Sequence, residues 1–258
     1  MGKSNINIEN LSFAYENKLI LDNINLDFEK GKLYSIIGPN GSGKSTIIKN
    51  ISKVLTPKSG TIKIKQKDVS KFNNKELSRK MSVINQVTRI DYDFTVAEIV
   101  MMGRNPHKGR LEEFNYEDEK IIEKYMKITD TWILRNKLIT TLSGGEFQRV
   151  IAAKTLSQET DIILLDEPTS NLDIQYQVEF LKIFNKLKTN KTIIAVLHDL
   201  NLASTFSDEI ILLDQGEVVA KGSPWQVMNK ENIKRSYHIP VEVIENPINK
   251  CPHVIPLI

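Results

Sequence analysis

The stretch Gly38-Pro39-Asn40-Gly41-Ser42-Gly43-Lys44-Ser45-Thr46 constrains this chain more than any other. It satisfies the pattern G-x-x-x-x-G-K-[ST]. Its glycines let the backbone turn through conformations that side chains resist, so successive N–H groups converge on one point. The run Lys32–Ile37 before it reads as a strand, and Lys44–Ser52 after it as a helix. A strand that delivers such a loop to a helix N-terminus makes an anion site. The whole stretch Gly38 to Thr46 is therefore expected to bind a nucleotide's phosphates. Lys44 reaches the β- and γ-phosphates, Ser45 a Mg²⁺ ion, and Thr46 the α-phosphate region.

Two further segments depend on that loop for their meaning. Ile162-Ile163-Leu164-Leu165-Asp166-Glu167 is an apolar strand ending in two carboxylates. At the C-terminal end of a parallel strand they face the ligand crevice. Asp166 is expected to hold Mg²⁺ through water, and Glu167 to take a proton from an attacking water as general base. Leu142-Ser143-Gly144-Gly145-Glu146 opens a helix, and Ser-x-x-Glu is a capping box. Two consecutive glycines weaken a helix start, which makes sense where the backbone must approach a phosphate closely.

The rest of the chain reads as an α/β protein of the P-loop type, a mixed sheet with an antiparallel β part and an inserted helical part. Ile6, Ile8, Leu11 and Phe13, then Ile24, Leu26 and Phe28, alternate as antiparallel strands do. Thr61–Ile64 and Val83–Asn85 are expected strands, with a short helix over Lys75–Met81 between them. From Thr95 to Ser157 the pattern is helical; Thr95-Val96-Ala97-Glu98 is a capping box, and Glu117–Met126 carries Ile121, Ile122 and Tyr125 on one face. Strands return at Asp161–Leu165 and Thr192–Val196, flanking the helix Gln175–Leu187. Gln215-Gly216 turns a hairpin between Ile210–Leu213 and Glu217–Ala220. This predicts one domain over 1–258, with a nucleotide-binding core of 1–87 and 158–258 and a helical part of 88–157.

Composition narrows the setting. Lys+Arg 35 against Asp+Glu 32 gives a net charge of +3, too weak to point to nucleic acid. The single cysteine, Cys251, forms no internal disulfide and fits a reducing compartment. No apolar run approaches the ~18 residues of a membrane span. Met1 to Ile8 lacks the apolar core of a secretory signal, and Ile6 stands where a myristoylation signal wants Ser or Thr. His107, His238 and His253 lack metal-ligand spacing and are expected at the surface.

Taken together, these segments resemble the ATP-binding subunit of an ABC transporter over nearly the full length. The resemblance implies further roles. Tyr15 looks like the aromatic that stacks on adenine, and Gln86 like the glutamine that senses Mg²⁺ and water. Leu142–Glu146 is similar to the signature motif. Ser170-Asn171-Leu172-Asp173 looks like the D-loop, and His198 like the switch histidine at the γ-phosphate. Asp173 is also placed to N-cap the next helix. Two copies then pack head to tail, each ATP lying between the phosphate loop of one and Ser143, Gly144 and Gly145 of the other.

Finer resemblance lies in Thr95–Val100 and in Met102-Gly103-Arg104-Asn105-Pro106-His107, which look like ATPases of iron-siderophore, haem and vitamin B12 importers. It implies permease subunits, an indirect substrate-binding protein and a place on the cytoplasmic face of the membrane. The segment is expected to form the groove that receives a permease helix, with Gly103 ending a helix. Phe147 stands where that subfamily often has a basic residue, and Asn85 where a proline often precedes the glutamine. A soluble ATPase serving iron–sulfur assembly remains the alternative, since it shares every nucleotide-binding motif.

Overall fold

Alternating apolar residues near the N-terminus pair into an antiparallel sheet, as their spacing predicts. The computed structural model describes residues 4–85, 90, 92–170 and 172–257. Strands β1 (Ser4–Tyr15) and β2 (Lys18–Glu29) run antiparallel, Ile8 opposite Leu26 and Leu11 opposite Ile24. Next, β3 (Leu33–Ile37) enters a second sheet and leads through the glycine-rich loop to α1 (Lys44–Ile51). β4 (Ser59–Ile64) and β5 (Lys67–Asp68) return to the first sheet, whose order is β2-β1-β4-β5.

The short helix α2 (Asn74–Ser78) stops before the predicted Met81. Met81 instead opens β6 (Met81–Ile84), where it lies parallel to Ile162; pairing into the sheet overrides local helix preference. Helices α3 (Val96–Met101), α4 (Tyr116–Ile128) and α5 (Gly144–Ser157) follow, each opened by a capping box from Thr95, Asn115 or Ser143. Then β7 (Ile162–Asp166), α6 (Ile174–Leu187), β8 (Thr192–Val196), α7 (Leu200–Phe206), β9 (Glu209–Asp214) and β10 (Glu217–Gly222) complete the second sheet, in the order β10-β9-β3-β8-β7-β6. Its pairs are parallel except β9 with β10. The chain closes with α8 (Pro224–Val227), α9 (Lys230–Tyr237) and the hairpin β11 (Val241–Glu245) and β12 (Pro252–Pro256).

The central strands are buried on both faces, which is why they read as continuous apolar runs. Ile162, Leu164, Ile194 and Val196 face a core shared with α1 and the antiparallel sheet. Ile163, Leu165, Ile193 and Ala195 face the opposite core, with Phe180, Leu181 and Phe184 of α6. A third cluster of Val96, Ile99, Val100, Ile122, Met126, Val150 and Ala153 holds α3, α4 and α5 together. Each of these side chains larger than alanine contributes about 1.5–3 kcal/mol. Among the described residues, no helix is long and apolar enough to cross a membrane.

Two expectations for the Met102–His107 segment are corrected here. α3 ends at Met101 and runs directly into a 3₁₀ turn over Met102–His107, so Gly103 is not its stop. Glycine is required there by packing: a Cβ would stand 2.3 Å from the Lys154 carbonyl oxygen. His107 is half-buried rather than on the surface, its Nε2 2.8 Å from the Gln158 carbonyl. Arg104 is buried too, its Nε donating to Asp118 at 3.0 Å and its Nη1 to the Ser157 carbonyl at 2.8 Å. Lys108 pairs with the other Asp118 oxygen.

Burial acts to raise the Asp118 carboxyl, but the Lys108 ammonium, the Asn115 N–H and the Arg104 guanidinium outweigh it and hold it at about 2. A carboxyl depressed in this way stabilises the fold above its unfolded value, near 4, and loses that contribution as pH falls toward 2. Replacing Asp118 by Asn removes the nearest counter-charge of two buried cations, leaving Arg104 only Glu159 and Lys108 only Glu112, each at 3.4 Å. The expected loss is about 3 kcal/mol, with a flatter acid limb, both read by urea unfolding at pH 7 and pH 3.

Candidate functional site

The phosphate loop is built where the C-terminal ends of β3, β7 and β8 meet. Gly43 takes φ +102 at the start of α1 and carries no side chain, so no side-chain cap occupies the helix N-terminus. The first N–H groups of α1 therefore remain available to an anion. Lys44 folds back over its own loop, donating to the carbonyls of Gly38 at 2.9 Å and Pro39 at 2.8 Å. Burial lowers its pKa, against the pull of Glu167 and Asp166.

Behind the loop, Ser45 Oγ donates to Asp166 Oδ1 at 2.7 Å. Burial raises the Asp166 carboxyl, and this hydrogen bond opposes the shift. A hydroxyl and a carboxylate held side by side are hard oxygen donors of the kind Mg²⁺ takes. The loop lines a cleft of about 260 Å³ with Tyr15, Lys18, Ile20 and Glu167. Tyr15 is 46% exposed, its ring held edge-on by Phe13 with centroids 4.9 Å apart.

An adjoining cleft of about 220 Å³ lies between Glu167, Thr169, Gln177, Val196, His198 and Asp199. His198 Nε2 stands 2.8 Å from Glu167 Oε1. Glu167 takes φ +49, a left-handed conformation that costs energy for any residue but glycine. β7 and β8 are neighbours in register, which is what brings residues 31 positions apart in the sequence together. Asp199 caps α7, accepting from the Asn201 and Leu202 N–H groups at 2.8 Å each.

Ser143 closes its capping box with Glu146, whose pKa is lowered by the Ser143 N–H and hydroxyl. Ser143 and Gly144 are exposed, and neither cleft is lined by them or by Gly145. The two glycines have different reasons. A Cβ on Gly144 would meet nothing within 4 Å, whereas one on Gly145 would stand 2.6 Å from the Tyr176 ring. Gly145 is therefore needed for packing within this chain, a reason the sequence does not reveal. Asp173 precedes α6 as expected, but its side chain makes no capping bond and is exposed, correcting that part of the reading. Gln86 and Asn171 lie outside the described residues.

Sequence reasoning passed over three residues around Glu167. Gln148 of α5 donates to the Pro168 carbonyl at 2.6 Å. Gln177 of α6 donates to the carbonyls of Thr169 at 3.1 Å and Leu172 at 2.8 Å. Tyr176 fills the space beside Gly145. No motif marks them, because their partners are backbone atoms, which carry no residue type to read. A hollow of about 690 Å³ on the antiparallel sheet lies elsewhere; Lys63 and Lys65 on its wall are already paired with Glu9 and Asp161.

Comparison with known proteins accords with this geometry. The family model described as ABC transporter matches residues 21–170, more than half the chain. This chain belongs to the ABC transporter family. As a member of that family it is an ATPase. It is 36% identical over 251 residues to the ferric enterobactin transport ATP-binding protein of Escherichia coli (strain K12), covering 96% of this chain and 93% of that one. A metal-chelate type ABC transporter solved in an inward-facing conformation superposes with TM-score 0.85 at 25% identity, covering 100% of this chain and 98% of that one. A bacterial ABC transporter cassette solved as a dimer gives TM-score 0.74 at 29% identity, over 84% and 98% of the two chains. The α/β cassette fold is thus common to all three.

Proposed function

We propose that this chain is the ATP-hydrolysing subunit of an importer for a metal chelate of the iron-siderophore, haem or cobalamin class. It works as a head-to-tail dimer at the cytoplasmic face of the membrane, attached through permease subunits that a substrate-binding protein supplies. The observation that carries this reading is the division of the site. Lys44, Glu167 and His198 line adjoining clefts, whereas the capped helix start at Ser143–Gly145 lines neither, which supports its serving the nucleotide of a second copy. The cargo class rests on the ferric enterobactin and metal-chelate relatives.

Tyr15 stacks on adenine, and Gly38–Thr46 cradles the phosphates, with Lys44 exchanging its loop carbonyls for phosphate oxygens. Ser45 and Asp166, with Gln86, hold Mg²⁺, which neutralises charge on the phosphate oxygens when bound. Glu167 accepts the proton of the attacking water. His198 holds Glu167 at 2.8 Å and reaches the γ-phosphate. Ser143, Gly144, Gly145 and Asp173 complete the site of the other copy. Closure follows because the second set of phosphate contacts exists only in the closed dimer, and hydrolysis removes it.

The test is a pull-down of tagged protein from gently solubilised cells, read by mass spectrometry. A polytopic permease is the expected partner. Recovery of soluble scaffold proteins alone would overturn the transport reading in favour of iron–sulfur assembly.

A further inference from the structure

The signature helix and the segment that carries Glu167 are joined by side chains to which no role has been assigned. Gln148 lies on α5 just past the capping box, and its Nε2 donates to the Pro168 carbonyl at 2.6 Å. That carbonyl follows Glu167 directly in the chain, and Pro168 has no N–H of its own by which the buried turn could be held. Glu167 sits at φ +49, and such a conformation persists only where the surroundings over-determine it. Gln177 holds the far end of the same turn at Thr169 and Leu172. The Tyr176 ring, next to Gln177 on α6, is packed against Gly145. Pro168, Thr169 and Leu172 are thus tied to α5 and α6 by two glutamine amides, and Ser143 caps the start of α5.

We propose that Gln148 is a positioning residue, carrying the engagement of Ser143–Gly145 by one ATP to the placement of Glu167 beside the other. The inference rests on the functional reading above. A phosphate docking at the start of α5 moves that helix as a unit, because its first turn is closed on itself by Ser143 and Glu146. The short bond from Gln148 then moves the Pro168 peptide, and with it the Glu167 carboxylate. The link gives each chain a means to withhold hydrolysis at its own nucleotide until its signature helix is occupied.

Gln148→Met keeps the length and volume of the side chain and removes the donor; Gln148→Glu keeps the shape and puts an acceptor-only carboxylate in place of the amide donor. Steady-state ATPase is measured for both, together with ATP-induced dimer formation in the Glu167→Gln background. The expected result is a fall in kcat of about tenfold with KM for ATP changed by less than about twofold. The yield of trapped dimer in the Glu167→Gln background should not change. Unaltered kcat in both variants would overturn the proposal. So would a parallel loss of kcat, ATP affinity and dimer yield, which would make Gln148 an ordinary packing residue. Failure of the unsubstituted chain to hydrolyse ATP would instead remove the functional reading, and the proposal with it.

Discussion

Glu167→Gln is expected to bind ATP as the unsubstituted chain does, to hydrolyse it at least about 100-fold more slowly, and to accumulate as a dimer. The substitution keeps the size of the side chain and its ability to bond His198, 2.8 Å away. It removes the basic lone pair that would take a proton from water. It also removes a negative charge from the wall of the phosphate cleft, which favours the bound state. Turnover and association therefore move in opposite directions, a signature that unfolding does not produce. Single-turnover hydrolysis and light scattering with ATP read both. Full turnover in this variant would refute Glu167 as the base.

Ser143→Arg is expected to abolish turnover while the monomer still binds ATP. Ser143 is exposed and contributes nothing to either cleft of its own chain. Its loss as an N-cap costs about 1 kcal/mol, too little to unfold a domain of this size. An arginine at the same point places a long side chain where the partner's nucleotide must approach. ATP at 100 times its Kd stabilises a binding-competent monomer by about 2.7 kcal/mol, so a retained thermal shift separates binding from catalysis. Loss of that shift would mean that the loop serves its own chain's nucleotide.

These two experiments address residues that the sequence singled out, and the structure explains why it could. The phosphate loop, the carboxylate pair after β7 and the capping box at Ser143 are local patterns: each expected role is read from a few adjacent residues and the element beside them. The alternating strands β1 and β2, the apolar runs β7 and β8, and the capped starts of α3 and α5 were legible for the same reason. The ends of elements were less so. Met81 left its expected helix because Ile162 offered a partner, and Gly103 proved to be a contact with α5 instead of a helix stop.

The motif Gly103-Arg104-Asn105-Pro106-His107 is the sharper case. As a string it resembles an importer subfamily and is expected to form a docking groove. In the fold, Arg104 and His107 face inward onto the end of α5, and Arg104 with Lys108 encloses Asp118. Arg79 Nε donates to the Pro106 carbonyl at 2.8 Å, tying the segment to the end of α2. Arg104 and His107 thus each make a structural contact within this chain.

By itself the sequence determined the nucleotide chemistry, because a phosphate cradle is made from consecutive backbone N–H groups and a few side chains at set spacing. It also determined that the chain forms an α/β sheet, because strands buried on both faces must be apolar throughout. Only the tertiary structure decided which residues hold the chemistry in place. The pairing of His198 with Glu167, the bond from Gln148 to Pro168 and the packing of Tyr176 on Gly145 join positions 31, 20 and 31 residues apart in the sequence. The His198–Glu167 pair joins two side chains on neighbouring strands, and the other two contacts are made to a backbone carbonyl and to a glycine, so none of them shows a fixed spacing in the sequence. Such contacts come into being when β7, β8, α5 and α6 pack.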